Sequence, residues 1–398
     1  MRQIMRQPDV FILGGARTPM GDFVGAFRDL SALELGAIAA RGAFEKTGVR
    51  PAWVDHVVIG NVMQTSADAI YGARHVGLKA GVPVDVPALT VNRLCGSGIE
   101  AAAIGARLIQ LGEAGVVLTG GIESMSQAPH VVRGLRTGLR MGHAQLEDTL
   151  WEGLLDSYCG CTMAMTAEHC GARYGVSRSD QDAYALRSQQ LAVRAWAEGR
   201  LAGEVVPVEI GTRTGTRLVD RDEHLRPETT LEALAALPPA FTEDGTITAG
   251  NASGIVDGGA ALLLASAEAI DRYELAPIGR LVAWAAVGVD PALMGMGPAP
   301  ATRAVLAKAG LGLADLDLIE VNEAFAAQYL AVERELGLDR DKVNVNGGAI
   351  ALGHPLGMTG TRLLLTLVAE LRRRDLRRGL ATACIGGGQG IAAIVETC

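Results

Sequence analysis

The sequence predicts a layered α/β protein made of two similar halves, with a segment of different composition inserted into the first. Three observations lead there. Short runs rich in Val, Ile and Leu alternate with Ala-rich helical stretches over residues 9–125, the order that builds a sheet with helices packed on it. The same plan returns near the C-terminus. EKTGVRPAWVDHVVIGN (45–61) and AKAGLGLADLDLIEVN (307–322) share a Lys, a Gly, an Asp and a closing Asn at nearly constant offset. TVNRLCGSG is answered by VNVNGGAIALG, and GVVLTGGIESM by ATACIGGGQGI. One match is the ordinary grammar of a βαβ unit; three in the same order indicate a duplication. Third, residues 126–255 change character and carry polar and charged stretches between the halves.

Taken in order, DVFILGGARTP reads as a strand, SALELGAIAARGAFEKTGV as a helix and DHVVIGNV as a strand. ALTVNRLC is a strand running into an Ala-rich helix at 96–109, and AGVVLTGGIESM is a further strand. Each strand ends in Gly, Asn or Cys, residues suited to tight turns at a sheet rim where binding groups project. Within 126–255, SRSDQDAYALRSQQLAVRAWAEG is helical, with Ser177 or Ser179 as N-cap and acids in the first turn. A segment with its own helix and apolar anchors is an insertion rather than a linker. The length of 398 residues suits two similar units or one large body with an insertion. With 49% apolar, 20% charged and only 4% aromatic residues, the chain reads as a close-packed globular protein.

A net charge of -8 excludes a general nucleic-acid surface, so any anionic ligand has to meet local cations. No run of apolar residues reaches a membrane span. The N-terminal MRQIMRQPDVFILGGARTP has two arginines but no apolar h-region, and a soluble, cytoplasmic protein is expected. Cys95, Cys159, Cys161, Cys170, Cys384 and Cys398 are scattered, which is not a disulfide framework. YCGCTMAMTAEHC brings three of them near His169, yet C-x-C lacks the spacing of a zinc knuckle. No metal site is expected.

Cys95 lies between a strand and an Ala-rich helix, fenced by glycines. A cysteine there is commonly a small core residue. Three Gly-rich turns of the C-terminal half shift the balance: VNEAFAAQ with Asn322 and Glu323, NVNGGAIALGHPLGMTG with His354, and CIGGGQG with Cys384. An imidazole within reach of a thiol makes an activated nucleophile, and a helix N-terminus at Cys95 is expected to lower its pKa. Cys384 adds a group that can take a proton from carbon or return it. The backbone of Gly386 to Gly388 can approach a ligand closely and line an oxyanion hole. Asn322 can orient a water or donate to an enolate oxygen. The set suits carbon–carbon chemistry on a thioester.

NRLCGSG, GGIESMS, TAGNASGIVDGGAA, NEAFAAQ, NVNGGAIALGHPLGMTG and CIGGGQG together, in this order over essentially the whole chain, resemble the thiolases. The resemblance implies two βαβαβαββ halves forming a five-layer αβαβα core, residues 1–274 and 275–398, with a CoA-binding loop domain at about 126–255. It implies Cys95 as acyl-carrying nucleophile and His354 as its activator. It further implies Asn322 as holder of a water, Cys384 as acid/base, and the N–H groups of Cys95 and Gly386 as an oxyanion hole. Arg226 near the nucleotide, Ser253 near the pantetheine, and Leu237, Phe241, Ala249 and Ile255 match positions touching CoA. Met163, Met294, Ala324 and Phe325 match the acyl side. Arg226 can equally be a solvated charge, and Leu237, Phe241, Ala249 and Ile255 core residues. The implied substrates are CoA, acetyl-CoA, acetoacetyl-CoA and other 3-oxoacyl-CoA, cleaved or condensed in ping-pong fashion, with no permanently bound cofactor. A homodimer or homotetramer is implied as well.

The chain departs from the family's short-chain biosynthetic members at Thr162, where those have His before Met163. TMAMTAE and DEHLRPETTLEALAALPPAF are closer to the mitochondrial 3-oxoacyl-CoA branch, which accepts short and medium chains. Two other readings compete. A 3-oxoacyl synthase-type condensing enzyme replaces the second cysteine, and a non-catalytic acyl-CoA-binding protein needs neither thiol.

Overall fold

The computed structural model describes residues 8–213 and 215–398; the arginines at positions 2 and 6, read above for a leader, lie outside the described residues. Among the described residues nine strands form the main path of a ten-stranded sheet, to which the short Gly21–Asp22 pairs at the start of β5: β1 (Phe11–Arg17), β2 (His56–Asn61), β3 (Ala88–Val91), β4 (Val116–Glu123), β5 (Val256–Ala265), β6 (Gly279–Gly288), β7 (Leu318–Val321), β8 (Arg378–Ile385) and β9 (Gln389–Thr397). Their order is β7-β8-β9-β6-β1-β5-β4-β2-β3. The two halves of that order correspond: 3-2-4-5-1 in the first and 7-8-9-6 in the second. The missing counterpart of β3 is a single parallel bridge from Ile319 to Val343. The halves join where β1 pairs with β6 over only Phe11↔Arg280 and Ile12↔Gly279.

The repeat seen in the sequence is a repeat of caps. α1 (Ala32–Thr47) starts from a Ser31/Glu34 capping box and ends at Gly48, φ 73°; its counterpart α6 (Pro298–Ala309) ends at Gly310, φ 69°. Each then runs through a short 3₁₀ turn, at Pro51–Trp53 and Leu313–Asp315, into β2 or β7. Only a residue free to adopt positive φ closes such an end cheaply, so the Gly recurs at the same offset. The shared Asp lies on the way: Asp55 accepts from Gly115 N and Val116 N, and Asp317 from Arg377 N and Arg378 N.

α3 (Ser97–Gln110) and α8 (Leu356–Arg373) lie between the two sheets, with α1 and α2 (Gly72–Lys79) outside one sheet and α6 and α7 (Ala326–Leu336) outside the other. This is the expected five-layer αβαβα arrangement. The central pair meets at its first turns. A Cβ on Gly98 would lie 2.3 Å from Thr361 N, and one on Gly360 2.4 Å from Ile99 N, so only glycine lets the backbones approach this closely. The residues just before both helices, Cys95 and His354, are thereby drawn to one end of the core.

Residues 124–255 occupy the connection from β4 to β5, whereas β8 passes to β9 through a turn at 386–388. α4 (Met163–Arg173) and α5 (Arg178–Ala197) belong to this long connection; Ser177, not Ser179, caps α5, with Asp180 completing the box. A fully buried Arg17 in β1 fastens the segment down, bonding Asp222 at 2.7 and 3.0 Å and Glu204 at 2.7 Å. No helix among the described residues is long and apolar enough to cross a membrane.

Candidate active site

Cys95 sits on an elbow that its own motif builds. Leu94 takes φ 45°, a conformation that costs a non-glycine residue of order 1 kcal/mol. Asn92 Oδ1 accepts from Leu94 N at 2.9 Å, while Ser97 Oγ accepts from Arg93 N at 2.9 Å and donates to Leu94 O at 2.7 Å. The thiol receives the backbone N–H of Gly386, from the other half of the chain, and its own N–H. The expected lowering of its pKa is not found. Burial pushes the Cys95 thiol up to about 11, outweighing those two N–H groups, and the nearby Glu123 adds to the rise. The helix end does not prevail because a side chain only 9% exposed has lost most of the water that would stabilise its thiolate.

Cys384, near the end of β8, is fully buried and is likewise pushed well up, first by burial and then by the charge of Cys95. The two thiols are therefore electrostatic neighbours. Gly387 and Gly388, at φ 76° and 79°, turn the chain tightly after them. A Cβ on Gly386 would lie 3.2 Å from Leu94 Cδ1 and 3.3 Å from Met163 Sδ. Met294 and Ala324 pack on Cys384, with Met163 and Phe325 beside them, so all four acyl-side candidates meet on this wall. Thr162 serves as N-cap of α4, accepting from Met165 N at 3.2 Å. Cys95 faces a second apolar wall of Met125, Leu150 and Leu356, flanked by Val62, Met63, Ala128 and Leu154. Leu150 and Leu154 carried no signal in the sequence, since they lie far from any motif.

The tautomer of His354 follows from its bonds. Thr359 Oγ1 has one proton, which goes to Pro355 O at 2.9 Å, so it accepts from Nδ1–H of His354 at 2.6 Å. Nε2 is left with its lone pair and accepts from Asn322 Nδ2 at 3.3 Å. Asn322 Oδ1 is buried and has no protein partner, an acceptor aimed into the site and able to hold a water. Burial, helped by the Arg362 charge, lowers His354 from its ordinary 6.5 to about 3. Its unfolded form thus binds a proton between those values and its folded form does not, so stability falls as pH drops from 6.5. Comparing His354→Asn with wild type at fixed protein concentration should show their stability gap closing by about 1.4 kcal/mol per pH unit below 6.5. Parallel curves would mean that His354 is not buried neutral.

Glu323 is no free acid at a turn tip. Its carboxylate accepts from Tyr184 Oη at 2.7 Å, Ser188 Oγ at 2.7 Å, Asn344 Nδ2 at 2.9 Å and Ile350 N at 3.2 Å, which ties α5 to the loops bearing Asn322 and His354. Thr359, Arg362 and Glu123 were missed by sequence reasoning. The first orients His354, the second pairs with Glu320 at 2.9 Å, and the third accepts from Val62 N, Met63 N and Gly357 N.

The CoA candidates form a surface path rather than a core. Phe241, Ala249 and Ile255 are exposed, Ser253 and Leu237 half-buried. The Phe241 ring meets Phe325 edge-on at 6.4 Å. Ser253 N donates to Ala324 O, and His354 N to Gly254 O, so the exposed strip runs directly to the buried site. Arg226 is 54% exposed and already bonds Asp22 at 2.8 Å; it is not a bare cation. Cys159, Cys161, Cys170 and His169 do not converge: Cys170 is buried against Gly295 and Met296, while His169 bonds Ala292 O.

The family of thiolase N-terminal domains matches residues 10–268, and that of thiolase C-terminal domains residues 275–397. The mitochondrial 3-ketoacyl-CoA thiolase of Homo sapiens is 51% identical, covering 98% of both chains. The acetyl-CoA acetyltransferase of Pseudomonas aeruginosa is also 51% identical, over 96% of this chain and 98% of that protein. The crystal structure of the human mitochondrial enzyme superposes with TM-score 0.97 at 51% identity, covering 98% of this chain and 99% of that one. Its complex with CoA superposes with TM-score 0.96 at 50% identity, covering 98% of each. These names overturn the expected cytoplasmic location. The human, bovine and mouse relatives are all called mitochondrial.

Proposed function

The chain belongs to the thiolase family and is an acyltransferase that uses CoA as substrate without a resident cofactor; from that premise we propose how its residues divide the work. His354 Nε2 takes the proton of Cys95, whose sulfur attacks the 3-oxo carbon of a 3-oxoacyl-CoA. The C2–C3 bond breaks, and Cys384 protonates the departing α-carbon to give acetyl-CoA. Nε2 of His354 and a water on Asn322 Oδ1 hold the thioester oxygen where enolate charge develops. CoA then enters along Arg226, Leu237, Phe241, Ala249, Ser253 and Ile255 and collects the acyl group from Cys95, whose oxyanion faces the N–H groups of Cys95 and Gly386. Reversed, two acetyl-CoA condense to acetoacetyl-CoA.

The observation that carries this reading is the N–H of Gly386 on the sulfur of Cys95, which draws the Cys384 loop, the acid/base candidate and the nucleophile into one pocket. A synthase-type enzyme without the second thiol has no use for that arrangement, nor does a non-catalytic binder. We read residues 1–274 and 275–398 as the two halves, with 126–255 as the CoA-binding insertion. Assembly as a homodimer or homotetramer accords with a β3 edge, unpaired among the described residues, bearing exposed Leu89 and with exposed Leu135, Leu139, Met141 and Leu146.

The acyl wall of Met163, Met294, Ala324 and Phe325 is adaptable, which favours both short and medium chains and a place in fatty-acid breakdown. Thiolysis of a medium-chain 3-oxoacyl-CoA should proceed with kcat/KM within about tenfold, or ~1.4 kcal/mol, of that for acetoacetyl-CoA. A larger preference for acetoacetyl-CoA would remove the medium-chain part; no thiolysis of either would remove the whole.

A further inference from the structure

Glu123, the last residue of β4, is fully buried, and no step above uses it. Its carboxylate accepts four bonds. Oε1 takes Met63 N at 2.9 Å and Asn61 Nδ2 at 3.1 Å. Oε2 takes Gly357 N at 2.8 Å and Val62 N at 3.3 Å. The donors come from two segments far apart in the chain, Asn61–Met63 and the start of α8. Val62 and Met63 belong to the wall against Cys95, while Gly357 stands in the first turn of α8, three residues after His354. Gly357 N–H is one of the unpaired donors at the start of that helix, and no residue of α8 supplies it with a side-chain cap. The backbones are pressed together at the same place: a Cβ on Gly121, two residues before Glu123, would lie 1.9 Å from Gly357 O.

We infer that Glu123 is a positioning residue of the acyl-transfer reaction, clamping the start of α8, and with it the His354 turn, against the wall that faces Cys95. The inference rests on the roles given above to Cys95 and His354. All four partners are donors, so no neutral side chain of the same shape replaces the carboxylate: the amide nitrogen of glutamine would meet N–H groups. The carboxyl also carries charge into the pocket. Burial raises it to about 7 against the pull of its three backbone donors, and Asp257 on the neighbouring β5 adds to the rise. Its negative charge in turn raises Cys95.

The test is Glu123→Gln in the full-length assembled enzyme, with folding checked by circular dichroism. Thiolysis kcat should fall roughly 10²-fold with KM little changed, since misplacing a proton acceptor by about 1 Å costs that much. The pH midpoint of Cys95 alkylation by iodoacetamide should move down, because a charge that opposes the thiolate is gone. A folded variant with wild-type kcat overturns the inference, and so does a loss of kcat with an unmoved or raised alkylation midpoint. If Glu123→Gln does not fold, Asn61→Ala removes one of the four donors; kcat should drop several-fold at constant KM, and an unchanged kcat overturns the clamp. Cys95→Ser run beside them separates the two levels: turnover retained there would sink the nucleophile assignment, not the clamp.

Discussion

Cys95→Ser is expected to abolish thiolysis and condensation together, by roughly 10⁴-fold or more in kcat, or at least ~5 kcal/mol of transition-state stabilisation. The site leaves no margin for a weaker nucleophile. Burial already pushes the thiol to about 11, so Cys95 is a thiol at neutral pH and, in the proposed reaction, loses its proton only as it attacks. A serine hydroxyl ionises several units higher than a thiol, and the nitrogen proposed to take its proton, Nε2 of His354, is held in an environment that resists protonation. The replacement is nearly isosteric, and the elbow rests on Asn92, Leu94 and Ser97 rather than on the sulfur, so the fold should stand. Mass spectrometry after incubation with acetyl-CoA should find an acetyl group on Cys95 in the wild type and none in the variant. A variant retaining more than about one per cent of wild-type turnover would exclude Cys95 as nucleophile.

What the sequence disclosed follows from which interactions are local. The duplication was legible because helix ends, turns and strand starts use residues a few positions apart, as Gly48 and Asp55 do, and Gly310 and Asp317. The catalytic candidates were legible because each stands in a short motif at a turn. The contacts that hold them in register were not. Glu123 and Gly357 are 234 residues apart, and nothing near GGIESM marks its glutamate as a clamp. Charge was the least legible property. Nothing in the sequence marks Arg17 and Arg362, which lie in the core on Asp222, Glu204 and Glu320; removing one partner would strand a buried charge. The thiol was read from its helix alone, whereas solvent exclusion, a property of the whole pocket, decides its pKa. The CoA candidates went the other way: Phe241, Ala249 and Ile255, open in the sequence to a core reading, are on the surface.

Cys384→Ala is expected to separate the two half-reactions that Cys95→Ser removes together. Met294, Ala324, Met163 and Phe325 around it have no proton to give, so carbon–carbon bond making and breaking should fall about 10³-fold. Acetylation of Cys95 by acetyl-CoA, which moves no proton at carbon, should stay within about tenfold of wild type. The sharpest readout is exchange of the acetyl-CoA α-hydrogens with deuterated water, which reports proton removal without condensation. That exchange should vanish in Cys384→Ala. If exchange and condensation persist in that variant, another group is the acid/base. If acetylation is lost with them, Cys384 supports the pocket of Cys95 rather than handling protons.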